Sequence, residues 1–253
     1  MVGTRFRPYI YDAFQSLHGG NLKGLSVLDI GCGRYCPDLK IASQHGASLC
    51  VGLDLGKDLS EEVPRDVVNY IQSDICISNL PIRDGSFDIA VMDSVIEHLQ
   101  DPIKTLAQVH RVLAPGGVLV LVTPNQASLK NRIKLMLGGS VYAPLSQWIS
   151  TARVKKGERS EFVGHLREYT ALEVDTMLEQ AGFKTNHLRM YKVGMSANQS
   201  ESGAVFQAYS GVSVRAGSIE SLSASRFLMS LYGLAETLVP SWRYTIAITA
   251  NKE

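Results

Sequence analysis

No stretch of the 253 residues holds an apolar run long enough to span a bilayer. Residues 1–9 carry early positive charge with no apolar segment behind it, so a secretory signal is not expected. Charge of one sign is equally scarce: 25 Lys and Arg face 24 Asp and Glu, a formal net of +1. A chain-wide basic footprint for nucleic acid is therefore missing, and no aromatic-and-basic RNA-binding module stands at either end. Only four cysteines occur, Cys32, Cys36, Cys50 and Cys76. None belongs to a C-x-x-C pair with a partnering His or Cys pair, which speaks against zinc and for free thiols in a reducing compartment. There is no internal repeat. These absences predict a cytoplasmic protein, soluble or loosely attached to a surface, with no nucleic-acid partner.

What is present reads as folded. A hydrophobic fraction of 45% with 19% charged residues excludes global disorder. The pattern predicts a short amphipathic helix over 8–18, with Pro8 in its first turn and Gly19-Gly20 at its end. Strands are expected over 26–30, 48–53, 67–72, 87–92 and 118–123. Each is short and rich in Val, Ile and Leu, as strands covered on both faces must be. A helix across 37–45 follows the first strand. Asp101 caps the helix before the fifth strand, Pro102 fits its first position, and Pro115-Gly116-Gly117 stops it. Beyond residue 170 come a helix over 171–180 ended by Gly182 and a strand over 183–193. A Ser/Gly-containing loop over 196–218, a helix over 219–238 and a closing strand over 243–250 complete the chain.

This alternation predicts an α/β fold: a Rossmann-like, doubly wound, mostly parallel sheet. Right-handed crossovers put the loops after the strands along one edge, where a ligand should sit. One domain is expected across 1–253, with 1–21 as a helical cap. Gly138-Gly139, Pro144 and a polar run break the pattern after Gln126, so 126–170 is expected to be an inserted helical lid or substrate segment.

The chemistry is expected where Val27-Leu28-Asp29-Ile30-Gly31-Cys32-Gly33 runs from strand into turn. Glycine permits a tight turn and lets a ligand approach the backbone. Asp54 lies 21 positions after Gly33, at the next strand end, where a carboxylate can accept hydrogen bonds from both ribose hydroxyls. Up to this point NAD and S-adenosylmethionine are served equally. Two features separate them. Arg34-Tyr35-Cys36 fills the region where a pyrophosphate wants a small residue and a helix N-terminus. Asp29, just before the loop, would repel a pyrophosphate but attract the ammonium of a methionine moiety.

Taken in order, Val27–Gly33, Val51-Gly52-Leu53-Asp54, Ser73-Asp74-Ile75, Leu80-Pro81, Phe87-Asp88, Ile96-Glu97-His98-Leu99 and 110–117 resemble the class I S-adenosylmethionine-dependent methyltransferases. The resemblance covers roughly residues 22–125. It implies S-adenosylmethionine as cofactor and S-adenosylhomocysteine as product. It implies that Asp29, Gly31, Cys32 and Gly33 cradle the methionine end. Asp54 with Leu55 would hold the ribose, and Ser73, Asp74 and Ile75 the adenine. Asp93, Ser94 and His98 would line the methyl group and the substrate. It also implies a seven-stranded sheet whose last strand is antiparallel to the rest. A second match, His165-Leu166-Arg167-Glu168-Tyr169-Thr170 before a helix and Ala181-Gly182-Phe183, resembles the small-molecule branch of these enzymes.

The expected reaction is direct displacement, in which the protein aligns a nucleophile behind the methyl and excludes water. Such a transfer requires no metal, and the sequence displays no metal-ligand cluster. An oxygen or nitrogen acceptor can need a base, for which His165 leads, with His98 and Asp93 behind it. The plainer alternative for His165 is that it fixes the lid helix to the sheet, and His98 could pack against the cofactor or cap a turn. Tyr9 and Tyr11 are read as core packing. Between 126 and 160, Lys130, Arg132, Lys134, Arg153, Lys155, Lys156 and Arg159 face only Glu158, a net of +6 that leaves the remainder at −5. That segregation would suit an anionic small-molecule substrate, an acidic carrier or an anionic membrane surface, and equally a solvated mobile face. The acceptor is expected to be a small molecule such as a sugar, lipid intermediate or secondary metabolite. The alternatives are a non-catalytic S-adenosylmethionine-binding regulatory or docking module and, more remotely, a nicotinamide-dependent reductase.

Overall fold

The computed structural model describes residues 7–57, 59–76, 79–142, 165–191 and 234–253. Its seven strands are β1 (Ser26–Ile30), β2 (Leu49–Asp54), β3 (Val68–Gln72), β4 (Phe87–Asp93), β5 (Leu113–Pro124), β6 (Phe183–Tyr191) and β7 (Thr245–Lys252). They form one sheet in the order β3-β2-β1-β4-β5-β7-β6. The first five pair in parallel, and β7 runs antiparallel to both of its neighbours, β5 and β6. This is the doubly wound sheet with an antiparallel last strand that the sequence predicts.

Strand periodicity sorts the apolar residues onto two faces. Along β4, Ile89 and Val91 join one apolar layer while Ala90 and Met92 join the other. On β5, Val120 and Val122 face one way and Leu119 and Leu121 the other. Helices α1 (Pro8–Ser16) and α2 (Pro37–Gln44) cover the first face with Ile10, Phe14 and Leu39. Helices α3 (Pro102–Val112) and α5 (Ala171–Gln180) cover the second with Leu106, Val109, Val174 and Leu178. Helix α4 (Leu129–Met136) lies between β5 and this last helix in the chain. Phe14 and Leu106 are fully buried. Truncating either to Ala would cost about 2–5 kcal/mol.

Local chemistry sets the helix ends. Asp101 accepts a hydrogen bond from the Lys104 amide at 2.9 Å, and Pro102 opens α3. Thr170 and Glu173 form a reciprocal capping box at the start of α5. The first helix stops at Ser16, short of the predicted 18, because Leu17 turns extended and Gly19 and Gly20 follow at positive φ. The fifth strand begins at Leu113, five residues before the predicted start. The chain leaves α3 straight onto the sheet, where Leu113 pairs with Phe87 and a register shift before Ile89 absorbs Pro115-Gly116-Gly117. The strand predicted over 243–250 sits at Thr245–Lys252, and the one predicted to reach 193 is described only to Tyr191, beyond which residues 192 and 193 lie outside the described residues. Residues 234–238 are helical; the rest of the predicted 219–238 helix and the 196–218 loop lie outside the described residues. Of the segment 126–170, residues 126–142 with α4 and residues 165–170 are described, and 143–164 lie outside the described residues. Among the described residues no helix is long and apolar enough to cross a membrane.

Candidate active site

The strand order reverses beside β1, whose neighbours are β2 and β4. Crossovers leave such a point in opposite directions and open a crevice at the carboxyl ends of the strands. The glycine turn stands there. Gly31 and Gly33 adopt φ of 76° and 61°, and the amides of Gly31 and Cys32 both donate to the Leu53 carbonyl, at 2.7 and 3.2 Å. A Cβ on Gly31 would lie 2.4 Å from Cγ2 of Val95, so the loop after β4 is pressed against the turn. A Cβ on Gly33 would meet no described atom within 4 Å, which leaves that face open to a ligand.

Asp54 ends β2 and anchors the turn. Its Oδ2 accepts the Gly33 amide at 2.9 Å and its Oδ1 the Gly56 amide at 2.8 Å. The Ser73 amide donates to the Asp54 carbonyl at 2.9 Å, which brings 73–75 alongside. Asp74 turns its Oδ1 to the Cys76 amide, Ile75 is half-buried against the core, and Leu55 is exposed. Cys32 is buried beneath the turn.

A group of buried carboxylates faces the same crevice. Asp29 is buried and its Oδ2 has no hydrogen-bond partner among the described residues. Arg7, just ahead of α1, bridges Asp38 (3.2 Å) and Asp93. The hydroxyl of Ser94 donates to Asp93 Oδ1 at 2.9 Å, and the Tyr9 hydroxyl also bonds to Asp93. Burial pushes the Asp29 carboxyl well above its ordinary range, and the neighbouring Asp38 adds to the effect. Burial likewise lifts Asp38 to about 7 and raises Asp93, in both cases against the pull of Arg7. Three buried acids served by one arginine form a site that favours further positive charge. Ser94 and Cys36, the non-glycine residues described with positive φ, both border it. Such strained backbone concentrates at functional sites.

A second group stands beyond the ends of β4 and β5. Oδ/ε contacts form a line: Asn131 Nδ2 donates to Glu168 Oε2 at 2.8 Å, and Glu168 Oε1 meets His165 Nδ1 at 3.1 Å. His165 Nε2 lies 3.9 Å from Oε1 of Glu97, which is fully buried and takes the Thr123 hydroxyl on its other oxygen at 3.0 Å. His98 meets the His165 ring edge-on, with centroids 5.0 Å apart. The amides of Leu166 and Arg167 donate to the Glu97 carbonyl, and Gln126 to that of Tyr169, so this segment is stitched to the sheet edge. Hydrogen bonding to Glu168 raises the His165 pKa, while burial lifts Glu97 to about 7.

Of the three base candidates read from sequence, the fold brings His165 and His98 together and places Asp93 with Arg7 instead. Tyr9 reaches Asp93, whereas Tyr11 is exposed beside His45. Sequence reasoning missed Arg7, Asp38, Glu168 and Asn131 as site residues. Asp38 in the first turn of a helix reads as an ordinary dipole partner. Only the long-range fold turns it toward Asp93.

Residues 4–188 match the sequence profile of the family described as "Methyltransferase domain", well over half of the chain. The chain belongs to the class I S-adenosylmethionine-dependent methyltransferases. A relative in Mycolicibacterium smegmatis, named a probable S-adenosylmethionine-dependent methyltransferase, is 34% identical over 165 residues, 64% of this chain and 52% of its own length. Norajmaline N-methyltransferase of Rauvolfia serpentina is 32% identical over 135 residues, 46% of this chain and 44% of its own length. The curated relatives are thus matched over only about half of their length. An S-adenosylmethionine-dependent methyltransferase from Mesorhizobium loti shares the fold with a TM-score of 0.60 at 19% identity, covering 99% of this chain and 100% of that one. The methyltransferase crevice fits this cofactor: the unpaired Asp29 oxygen suits its ammonium, the open Gly33 face its methionine chain, and Asp54 retains acceptor capacity for ribose hydroxyls.

Proposed function

We propose that the chain transfers a methyl group to an oxygen or nitrogen of a small molecule by direct displacement. The observation that carries this reading is the cluster of Asp29, Asp38 and Asp93 around Arg7, beside the glycine turn at the reversal of strand order. When bound, S-adenosylmethionine supplies an electrophilic methyl on a sulfonium. Asp29 holds the positively charged amino-acid end, Asp54 fixes the ribose, and the 73–75 segment borders the base. Ser94 would border the methyl end, and Val95 would back the glycine turn. The acceptor atom meets the cluster of Glu97, His98 and His165, in which Thr123 orients Glu97 and the Asn131–Glu168 pair orients His165.

The N-methylation named for the Rauvolfia relative supports a small-molecule acceptor. The cations of α4, Lys130, Arg132 and Lys134, favour an anionic one, and the same segment could meet an acidic carrier or an anionic membrane surface in passing. A cytoplasmic location accords with this reading.

Isothermal titration with S-adenosylhomocysteine, beside an Asp54→Ala variant, tests the cofactor site. Micromolar binding that the variant loses supports the proposal, and no binding by a folded chain overturns it. Accumulation of S-adenosylhomocysteine with a panel of small metabolites separates an enzyme from a module that only binds.

A further inference from the structure

His165 and Glu97 face each other across a gap that no hydrogen bond spans. Glu168 lies 3.1 Å from Nδ1 of His165, which favours the tautomer with its proton on that nitrogen. The lone pair on Nε2 then points toward Glu97 Oε1, 3.9 Å away, beyond the 2.7–3.2 Å of a real N–H···O bond. That oxygen belongs to a fully buried side chain and has no hydrogen-bond partner among the described residues. With His165 neutral, its Nε2 lone pair and the buried Glu97 oxygen face each other across a gap of the size a cation can bridge. His98 supplies a third donor: one ligand atom from each of Glu97, His98 and His165 lies within 4.8 Å of the other two.

The surroundings are those of a built site. Thr123 orients the carboxylate of Glu97 through its second oxygen. Asn131 holds Glu168, and Glu168 holds His165, the carboxylate–histidine arrangement that stands behind metal-binding imidazoles. The Leu166 and Arg167 amides on the Glu97 carbonyl keep both sides of the cluster from spreading. Two imidazoles and one carboxylate suit a first-row divalent cation such as Zn2+, Mn2+, Fe2+ or Co2+ far better than Ca2+.

We propose that Glu97, His98 and His165 bind one divalent transition-metal cation at the acceptor end of the crevice. Three protein ligands leave positions open, and the cation there takes an acceptor oxygen. On binding, the O–H proton leaves to solvent. The freed oxygen pair then forms the bond to the methyl carbon as the carbon–sulfur bond breaks. This narrows the acceptor class to hydroxyl compounds. That narrowing rests on the methyl-transfer reading, but the cation site itself does not.

The test uses the full chain, stripped with a chelator and dialysed. Co2+ is titrated while visible ligand-field absorption is read, with calorimetry of Zn2+ and Mn2+ alongside. One equivalent should bind. Glu97→Gln and His165→Asn should each weaken binding at least tenfold, and Glu168→Gln by about 10- to 100-fold through the outer shell. His110→Asn, which alters a ring packed on Phe183, should leave binding intact. Each variant is also titrated with S-adenosylhomocysteine, so loss of cobalt with normal nucleoside binding reports a lost ligand rather than a lost fold. Should Glu97→Gln fail to fold, the half-exposed His98→Asn carries the same comparison. Absence of saturable binding, or equal binding by wild type and ligand variants, overturns the proposal and leaves a protonated His165–Glu97 pair. Failure of S-adenosylhomocysteine to bind would instead count against the cofactor reading alone.

Discussion

The backbone amide of Gly33 donates to Oδ2 of Asp54 across 2.9 Å, tying the turn after β1 to the last residue of β2. Asp54 therefore has two tasks: it shapes the turn and presents charge to whatever lies upon it. Asn in its place can keep one amide contact but not the charge. Hydrogen bonds to a charged group contribute about 1.5–3 kcal/mol. Asp54→Asn should thus weaken S-adenosylhomocysteine binding about 10- to 100-fold, with a smaller melting loss than Asp54→Ala because one amide contact survives. Asp54→Ala should lose both binding and turn stability. Calorimetry with parallel thermal melts checks the split; equal melting losses in the two variants would assign Asp54 to scaffold alone.

The two turn glycines should respond differently to alanine. Both have positive φ, which costs an L-residue about 1–2 kcal/mol. At Gly33 that is the whole cost, because the new methyl meets nothing within 4 Å. At Gly31 the methyl would strike Val95, and overpacking adds about 1–3 kcal/mol. Urea unfolding of the ligand-free variants should rank Gly31→Ala clearly below Gly33→Ala in stability. S-adenosylhomocysteine should nonetheless bind poorly to Gly33→Ala, since its methyl fills the open face.

The buried acids give the fold a pH signature. Asp38 is lifted to about 7 by burial, against an unfolded value near 3.8. Between those values the folded chain keeps a proton that the unfolded chain has released. Stability must therefore fall as pH rises from about 4 to 7 and level off above. Arg7 restrains Asp38, whereas the charge of Asp93 lifts it; Asp29, raised by burial, acts with the same sign on stability. Asp38→Asn should flatten part of the slope, and Arg7→Ala should extend the decline above pH 7. Denaturant midpoints across pH 4–8 check both; a rising midpoint over this range would contradict the burial of Asp38.

The sheet and its glycine turn were legible because their signals are local. Period-two burial on β4 and β5, Pro102 after Asp101, and the Val27–Gly33 run each operate within about ten residues. Strand ends were read within a few residues, except where Leu113 enters the sheet directly from α3. The carboxylate cluster was not legible. Arg7 meets Asp38 and Asp93 at separations of 31 and 86 residues, and no local pattern marks such pairs. The donors Glu97 and His98 are adjacent, but His165 joins them only through the stitched 165–170 segment.

That segment offers the last prediction. Glu168 touches no part of the cofactor crevice described above, yet it sets His165 through Nδ1 and is itself held by Asn131. Its carboxyl sits below its ordinary pKa because His165 and Asn131 outweigh the cost of burial. Glu168→Gln preserves shape and removes charge, and for a carboxylate behind a metal-binding imidazole, as proposed above, that loss is worth about 10- to 100-fold in activity. Turnover with an accepted substrate should fall by that factor while S-adenosylhomocysteine affinity stays within about twofold, a gap of under 0.5 kcal/mol. Asn131→Ala should follow the same pattern more weakly, because it acts one hydrogen bond further out. Parallel losses of turnover and nucleoside affinity would mean that the Asn131–Glu168–His165 line supports the fold as a whole and does not act on the acceptor side.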